Sequence, residues 1–125
     1  MDDEDLAEMK IRLETADIAY FERALALSTE HTVGFTPKTL TTVEAAWRNL
    51  DSIVATFGWI INLKDGRRLY LELATVDIED QEDELTITAL AAGQPYPELD
   101  EHAGAYWYRP DFLNEHLGIG SRALN

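Results

Sequence analysis

The chain has 125 residues, of which 46% are hydrophobic and none is cysteine, so it is long enough for one folded domain over 1–125 and cannot form disulfides or cysteine-based zinc sites. Its 24 acidic and 10 basic residues give a formal charge of −14 at pH 7, which disfavours direct binding to nucleic acid or to an anionic membrane. The acidic N-terminus is unlike a signal peptide, and no segment reaches the ~20 apolar residues of a membrane span, so a cytoplasmic location is expected.

The first predicted element is a helix over residues 2–28. Apolar side chains recur there at spacings of three and four, which places them on one helical face. They are Leu6, Met9, Leu13, Ala16, Tyr20, Ala24 and Leu27. Acidic residues at 2–5 lie where negative charge favours the start of a helix. An alternative stays open, because residues 9–14 also alternate with period two, and a shorter helix would then be capped by Thr15 or Asp17.

A second helix is predicted from Thr41 to Phe57. Thr41 and Glu44 have the spacing of a capping box, in which their side chains accept the free backbone N–H groups at a helix start. An apolar stripe follows at helical spacing. It consists of Val43, Trp47, Leu50, Val54 and Phe57. Gly58 is then expected to end the helix in a left-handed conformation.

An antiparallel meander is predicted to follow, with strands at 59–63, 67–75 and 85–90. A three-residue loop over 64–66, with Gly66 left-handed, would pair Leu63 with the residue at position 67. This register separates apolar from polar side chains, and a slip by one residue would exchange the two faces. The apolar face would hold Trp59, Ile61, Leu63, Leu69, Leu71 and Leu73.

The C-terminal part is predicted to be an irregular segment over 91–104, a short edge strand over 105–109 and a short helix. Pro110 suits the first position of that helix, and Gly118 is expected to stop it. The predicted fold class is therefore α+β, with two N-terminal helices packed on one face of a three- to four-stranded antiparallel meander and a short C-terminal helix.

The loop before the third strand is the most acidic part of the chain. Its carboxylates are Asp77, Glu79, Asp80, Glu82, Asp83 and Glu84. Ordinary solvation of a hairpin turn explains such a loop, and the spacing does not match a calcium-binding EF-hand. We also consider these residues candidates for docking a basic partner, because an acidic patch steers oppositely charged proteins.

Aromatic residues beside an arginine form the second candidate site, at Tyr106, Tyr108 and Arg109. Tyr, Trp and Arg dominate the energetics of protein interfaces. The alternative is structural: alternation would place Trp107 in the core and both tyrosines outside, so that the segment packs the C-terminal tail onto the domain.

We predict no catalytic, metal or cofactor site. The histidines are not spaced as ligands on one helix face; they are His31, His102 and His116. Glu72 is the first carboxylate to examine for acid–base chemistry, although a salt bridge across the sheet is its simpler role.

The composition favours a small intracellular interaction protein, an adaptor or inhibitor, that docks a basic surface of a protein partner. Nucleic-acid-binding proteins are among the basic partners considered. The alternative function is that of an inhibitor which imitates the nucleic acid that such a protein binds. A further alternative is a ligand-binding domain or enzyme with a pocket on the exposed face of the sheet, near Glu72. The sequence leaves the oligomeric state open.

Overall fold

The computed structural model describes residues 3–28, 39–50, 54–76, 82–99 and 106–118. Within these ranges, a four-stranded antiparallel sheet with strand order β1-β2-β3-β4 carries two helices. The elements are α1 (Asp3–Ser28), β1 (Leu40–Leu50), β2 (Val54–Leu63), β3 (Arg68–Val76), β4 (Glu84–Leu90) and α2 (Asp111–Leu117). The α+β class with an antiparallel sheet is confirmed, and the arrangement of helices differs from the prediction.

The long N-terminal helix is confirmed, and the alternative of a shorter helix after residue 15 is wrong. Its acidic first turn stabilises the positive end of the helix dipole. All of its buried residues lie in its second half, from Asp17 onward. Phe21 and Ala24 are completely buried there against the sheet. The first half of α1 therefore extends beyond the core.

The second predicted helix is wrong, because residues 41–50 belong to β1 and residues 54–57 are the start of β2. Neither residue of the expected capping box caps a helix: the Thr41 hydroxyl donates to the Asn62 carbonyl at 2.9 Å, and the Glu44 carboxylate accepts from Arg68. Thr, Val and Trp pack well on a pleated surface, and pairing with neighbouring strands overrides the coincidental helical spacing. The apolar stripe is consequently divided between the two faces of the sheet.

The predicted β2–β3 hairpin is confirmed in detail. Leu63 N–H donates to the Arg67 carbonyl at 2.9 Å, which closes the three-residue loop, and Gly66 has φ +93°. The Asp65 carboxylate accepts from Arg67 N–H at 2.9 Å. Trp59 pairs with Leu71 in the resulting register, so the apolar side chains face α1 as expected.

The main core lies between α1 and this face of the sheet. Its largest completely or almost completely buried side chains come from α1, from each of β1, β2 and β3, and from α2, with Leu40 and Val43 supplied by β1. They include Phe21, Phe57, Trp59, Ile61, Leu69, Leu71, Leu73 and Leu113. The ring of Phe21 meets that of Trp59 edge to face at a centroid distance of 5.3 Å, and Tyr20 stacks on Phe57 at 4.3 Å. Aromatic contacts of this kind add to the stability gained from buried area.

A smaller cluster occupies the opposite face of the sheet, and Trp107, which the structural alternative places in the core, packs in this cluster and not in the main core. Trp107 packs beside Ile60 and Tyr70, and its indole N–H donates to the Pro97 carbonyl at 2.9 Å. Trp47 joins this cluster through a 3.1 Å hydrogen bond from its indole N–H to the Tyr70 hydroxyl. The polar face of the sheet is thus partly covered by the segment after β4.

An ion pair on the same face connects two strands that are not adjacent. Arg68 of β3 holds both carboxylate oxygens of Glu44 on β1, at 3.1 and 2.6 Å. The hydrogen bond from Arg68 is the main reason that the pKa of Glu44 is lowered. Arg68 also donates to the Gln94 carbonyl and lies over the Tyr96 ring. The pair therefore ties the segment after β4 to the sheet.

The C-terminal elements follow the prediction with two corrections. Residues 106–109 form a single bridge, Tyr108 with Ala46 of β1, and not a strand within the described part of the segment. Pro110 is the N-cap of α2 and not its first helical residue, whereas Gly118 ends the helix with φ +69° as expected.

Gly58 is required by the indole of Trp47, since a Cβ atom at position 58 would lie 1.9 Å from Trp47 Nε1. We expect Gly58→Ala to lower the free energy of unfolding by roughly 1–3 kcal/mol through overpacking. Urea unfolding of Gly58→Ala, Trp47→Leu and the double variant measures the coupling. Equal costs of Gly58→Ala with and without the indole would contradict this explanation.

Candidate functional site

The first half of α1 overhangs the sheet because the helix crosses the strands. Asp17 of α1 bonds to Arg48 of β1, whereas Arg23, six residues later, bonds to Asp83 just before β4. These two strands are the opposite edges of the sheet. None of the 14 residues of α1 before Asp17, about 21 Å of helix, is buried.

This overhang leaves part of the apolar stripe of α1 exposed to solvent. Leu6 and Met9 are 51% and 46% exposed. They lie on the same side of α1 as Tyr20 and Ala24, which pack in the core at least three turns later. The stripe therefore continues past the end of the surface that buries it.

A groove of about 650 Å³ separates the overhanging half of α1 from residues 106–109 and α2. Apolar side chains line it beside charged ones of both signs. The lining residues are Leu6, Met9, Lys10, Leu13, Glu14, Arg48, Tyr106, Tyr108, Arg109, Asp111, Phe112 and Glu115. Its volume is in the range of typical ligand sites. Part of its lining is the exposed surface of α1, so the groove is open to solvent on that side.

Three polar side chains meet at the base of the groove. Arg48 Nη1 donates to Asp17 Oδ2 at 2.5 Å and to the Tyr108 hydroxyl at 2.7 Å. The Tyr108 hydroxyl also donates to Asp17 Oδ2, and the guanidinium lies 5.0 Å from the centre of the Tyr108 ring. This cluster joins α1, β1 and the 106–109 segment, and so holds together the elements that form the groove.

Asp17 is only 1% exposed, and burial raises its pKa to about 6 despite the opposing effect of Arg48. Its Oδ1 atom is buried and accepts no hydrogen bond within the described part of the chain. A desolvated, incompletely paired carboxylate favours the protonated form.

The position of α2, the other side of the groove, is set by β1 and α1. The Asn114 side chain bonds to both the N–H and the carbonyl of Val43, at 2.8 and 3.0 Å. His116 lies 2.9 Å from Glu22 of α1, between their side-chain N and O atoms. These contacts fix the orientation of α2, and in that orientation Phe112 lines the groove.

The structure brings together all three residues of the predicted aromatic site, since Tyr106, Tyr108 and Arg109 line the same groove. Tyr106 is 67% exposed and available for contact. Tyr108, expected outside the core, is half-buried by its contacts with Arg48 and Asp17.

The described part of the acidic loop, residues 82–84, is separate from this groove. Asp77, Glu79 and Asp80 lie outside the described residues. Glu82 and Glu84 are exposed, and Asp83 pairs with Arg23 at 3.1 Å. Arg23 is 14 residues from Met9 along α1, roughly 20 Å away. The described carboxylates of the loop and the aromatic site therefore do not form one continuous surface.

Glu72 does not contribute to the groove. It lies on β3, on the face opposite α1, near Tyr70. Burial is the main reason that the pKa of Tyr70 is raised to about 12, and Glu72 adds to this effect. Among the described residues, no three His, Asp or Glu side chains converge on a possible metal position. His31 and His102 lie outside the described residues.

Sequence reasoning missed the contributions of Asp17, Arg48 and Phe112 to the groove. Asp17 interrupts the apolar face of α1 with a carboxylate, and this interruption was the one signal available. Arg48 was assigned to a helix, so its contact with α1 was not foreseen.

Comparisons of the chain with protein-family models, curated proteins and solved structures found no significant match. Over the described ranges, no helix combines the length and the apolar character needed to cross a membrane. Inferences about function therefore depend on the groove and its surroundings.

The raised pKa of Asp17 predicts a specific pH dependence of stability. Because the folded state binds the proton more tightly than the unfolded chain, Asp17 adds stability as pH falls from about 6 to about 4, by on the order of 3 kcal/mol. The difference in unfolding free energy between wild type and Asp17→Asn should change by this amount over that range, as measured by urea unfolding. Glu8→Gln, at an exposed position on the same helix, is the control. A pH-independent difference for Asp17→Asn would contradict the assignment.

Proposed function

We propose that this chain is a non-enzymatic binding protein that docks a partner protein in the groove between α1, residues 106–109 and α2. The observation that carries the proposal is the exposure of Leu6 and Met9 on α1 opposite the exposed Tyr106. Contiguous apolar side chains at a protein surface commonly mark an interaction site. The aromatic anchors expected from the sequence thus have apolar neighbours from a distant part of the chain.

Burial of these three side chains by a partner provides a clear driving force. Each apolar side chain that moves from solvent into an interface contributes roughly 1–3 kcal/mol. A buried tyrosine beside an arginine is typical of the residues that dominate binding energy. Arg109, which is exposed at the same groove, completes that combination.

The charge of the chain indicates what kind of partner would be attracted. A formal charge of −14 creates a negative potential that raises the association rate of a basic partner. Exposed acidic residues on α1 begin immediately beside Leu6, at Asp3, Glu4 and Asp5. The proposed partner surface is therefore both apolar and basic.

The buried carboxylate does not favour an enzyme in place of a binding protein. Asp17 is enclosed by Arg48 and Tyr108 and is 1% exposed, so a substrate in the groove would not reach it. A general acid or base needs direct or water-mediated contact with the reacting group. Its role in this proposal is to hold the groove together.

The apolar lining also favours docking over imitation of nucleic acid. A nucleic-acid mimic requires exposed carboxylates at phosphate-like spacing, and needs no apolar groove. At least three described carboxylates, Asp17, Glu44 and Asp83, are instead paired with arginines.

The test compares two aspartate substitutions on the same helix. Leu6→Asp places a charge in the groove, whereas Ile11→Asp alters a residue that is 62% exposed and does not line it. Wild type and Ile11→Asp should capture the same proteins from a lysate of the source cells. Leu6→Asp should retain them about tenfold less, because the lost apolar contact and the cost of burying a charge together reach about 1.4 kcal/mol. Circular dichroism checks that both variants stay folded, and quantitative mass spectrometry measures retention. Equal retention by the two variants would refute docking in this groove.

A further inference from the structure

We infer that the segment docked in this groove is an amphipathic α-helix of a different protein, with Lys or Arg beside its apolar face. This inference rests on the proposed docking function and specifies the chemistry of the partner. It is drawn from the backbone structure of the groove, the spacing of its apolar residues and the distribution of its charges.

The backbone of the groove favours a helical occupant. Two of its three sides are the helices α1 and α2, whose interior N–H and C=O groups are bonded within each helix. An extended peptide between them would find few backbone partners, and unpaired polar groups in an interface are costly. A helix satisfies its own backbone and presents only side chains, as in other helix-in-groove complexes.

The apolar side chains of the groove have the repeat that such a helix would match. Leu6, Met9 and Leu13 of α1 follow one another at i, i+3 and i+7, which covers about 10 Å or two helical turns. Phe112 and Tyr106 face them from the other side of the groove. Two turns of a partner helix with apolar residues at i, i+3 or i+4, and i+7 would contact both sides.

The charges near the groove favour a basic segment. Arg48 is paired with Asp17, and Lys10 lies 3.8 Å from Glu14 between N and O atoms. Arg109 is the one exposed base on the opposite side of the groove among its described lining residues. Acidic residues, in contrast, lie both around the N-terminal end of the apolar stripe and across the groove from it. They are Asp3, Glu4, Asp5 and Glu8 on α1, and Asp111 and Glu115 on α2. Positive side chains beside the apolar face of the partner would complement them.

The same charges disfavour a second copy of this chain as the occupant. Its own exposed apolar helix is the first half of α1, which would bring the same acidic residues against themselves. Two chains of formal charge −14 repel one another at low ionic strength.

A displayed library of random 16-residue peptides tests this inference without knowledge of the natural partner. The library is selected on the intact wild-type chain after depletion on Leu6→Asp. Enriched peptides should show apolar residues at i, i+3 or i+4, and i+7, with an excess of Lys and Arg. Enrichment of period-two patterns, no excess of basic residues, or no enrichment at all would overturn the inference.

One enriched peptide then gives the affinities by fluorescence anisotropy. We expect binding to be unchanged with Ile11→Asp and at least about tenfold weaker with Leu6→Asp, and a proline at the centre of the peptide should weaken binding similarly because it breaks the helix. Equal affinity of the proline variant would show an extended occupant and would overturn the helical assignment.

The results also separate this inference from the proposed function. If Leu6→Asp abolishes capture from the lysate but no helical basic peptide is enriched, docking in the groove stands and the helical occupant is rejected. If sedimentation shows a wild-type dimer that Leu6→Asp dissociates, the occupant is a second copy and the inference is wrong. If capture is unaffected by Leu6→Asp, the docking function itself fails.

Discussion

The contact of Phe21 with Trp59 is the interaction on which the arrangement of this protein depends. It places the second half of α1 over the centre of the sheet, where Ala24 and Leu25 are also buried. The burial of large aromatic side chains is among the strongest contributions to a core of this size. Because α1 has 26 residues and crosses from β1 to β4, the same contact determines how much of the helix remains outside. The groove is thus a consequence of where the helix is anchored.

The cluster of Asp17, Arg48 and Tyr108 stands at the boundary between the buried and the overhanging halves of α1. It connects that boundary to β1 and to the segment that leads into α2. The arrangement has an energetic cost, since a buried carboxylate is stable only when its partners compensate for lost hydration. Breaking one partner of such a cluster usually destabilises a protein more than the intact cluster stabilises it. The sides of the groove are therefore connected to the core through these hydrogen bonds.

The sequence predictions succeeded where the interacting residues are close together along the chain, and failed where they are far apart along it. The β2–β3 hairpin is local, and Gly66 together with the alternation of apolar residues specified both its loop and its faces. The segment 41–57 contained an apolar repeat that suits a helix, but Thr41 and Glu44 bond to Asn62 and Arg68 from neighbouring strands. Those partners are 21 and 24 residues away along the chain, so no local pattern revealed them. The positions of the paired strands decided the structure of this segment.

The sequence by itself determined the α+β class, the long first helix, the central hairpin and the strongly negative charge of the chain. It also identified Tyr106, Tyr108 and Arg109 as interface candidates. Only the tertiary structure decided that these residues lie opposite Leu6 and Met9, and that the described part of the acidic loop lies elsewhere. Periodicity shows which side of a helix is apolar, but it does not show how far the opposing sheet extends. That extent is set by packing between residues distant in the chain, and it turned one half of an apolar stripe into core and the other half into surface.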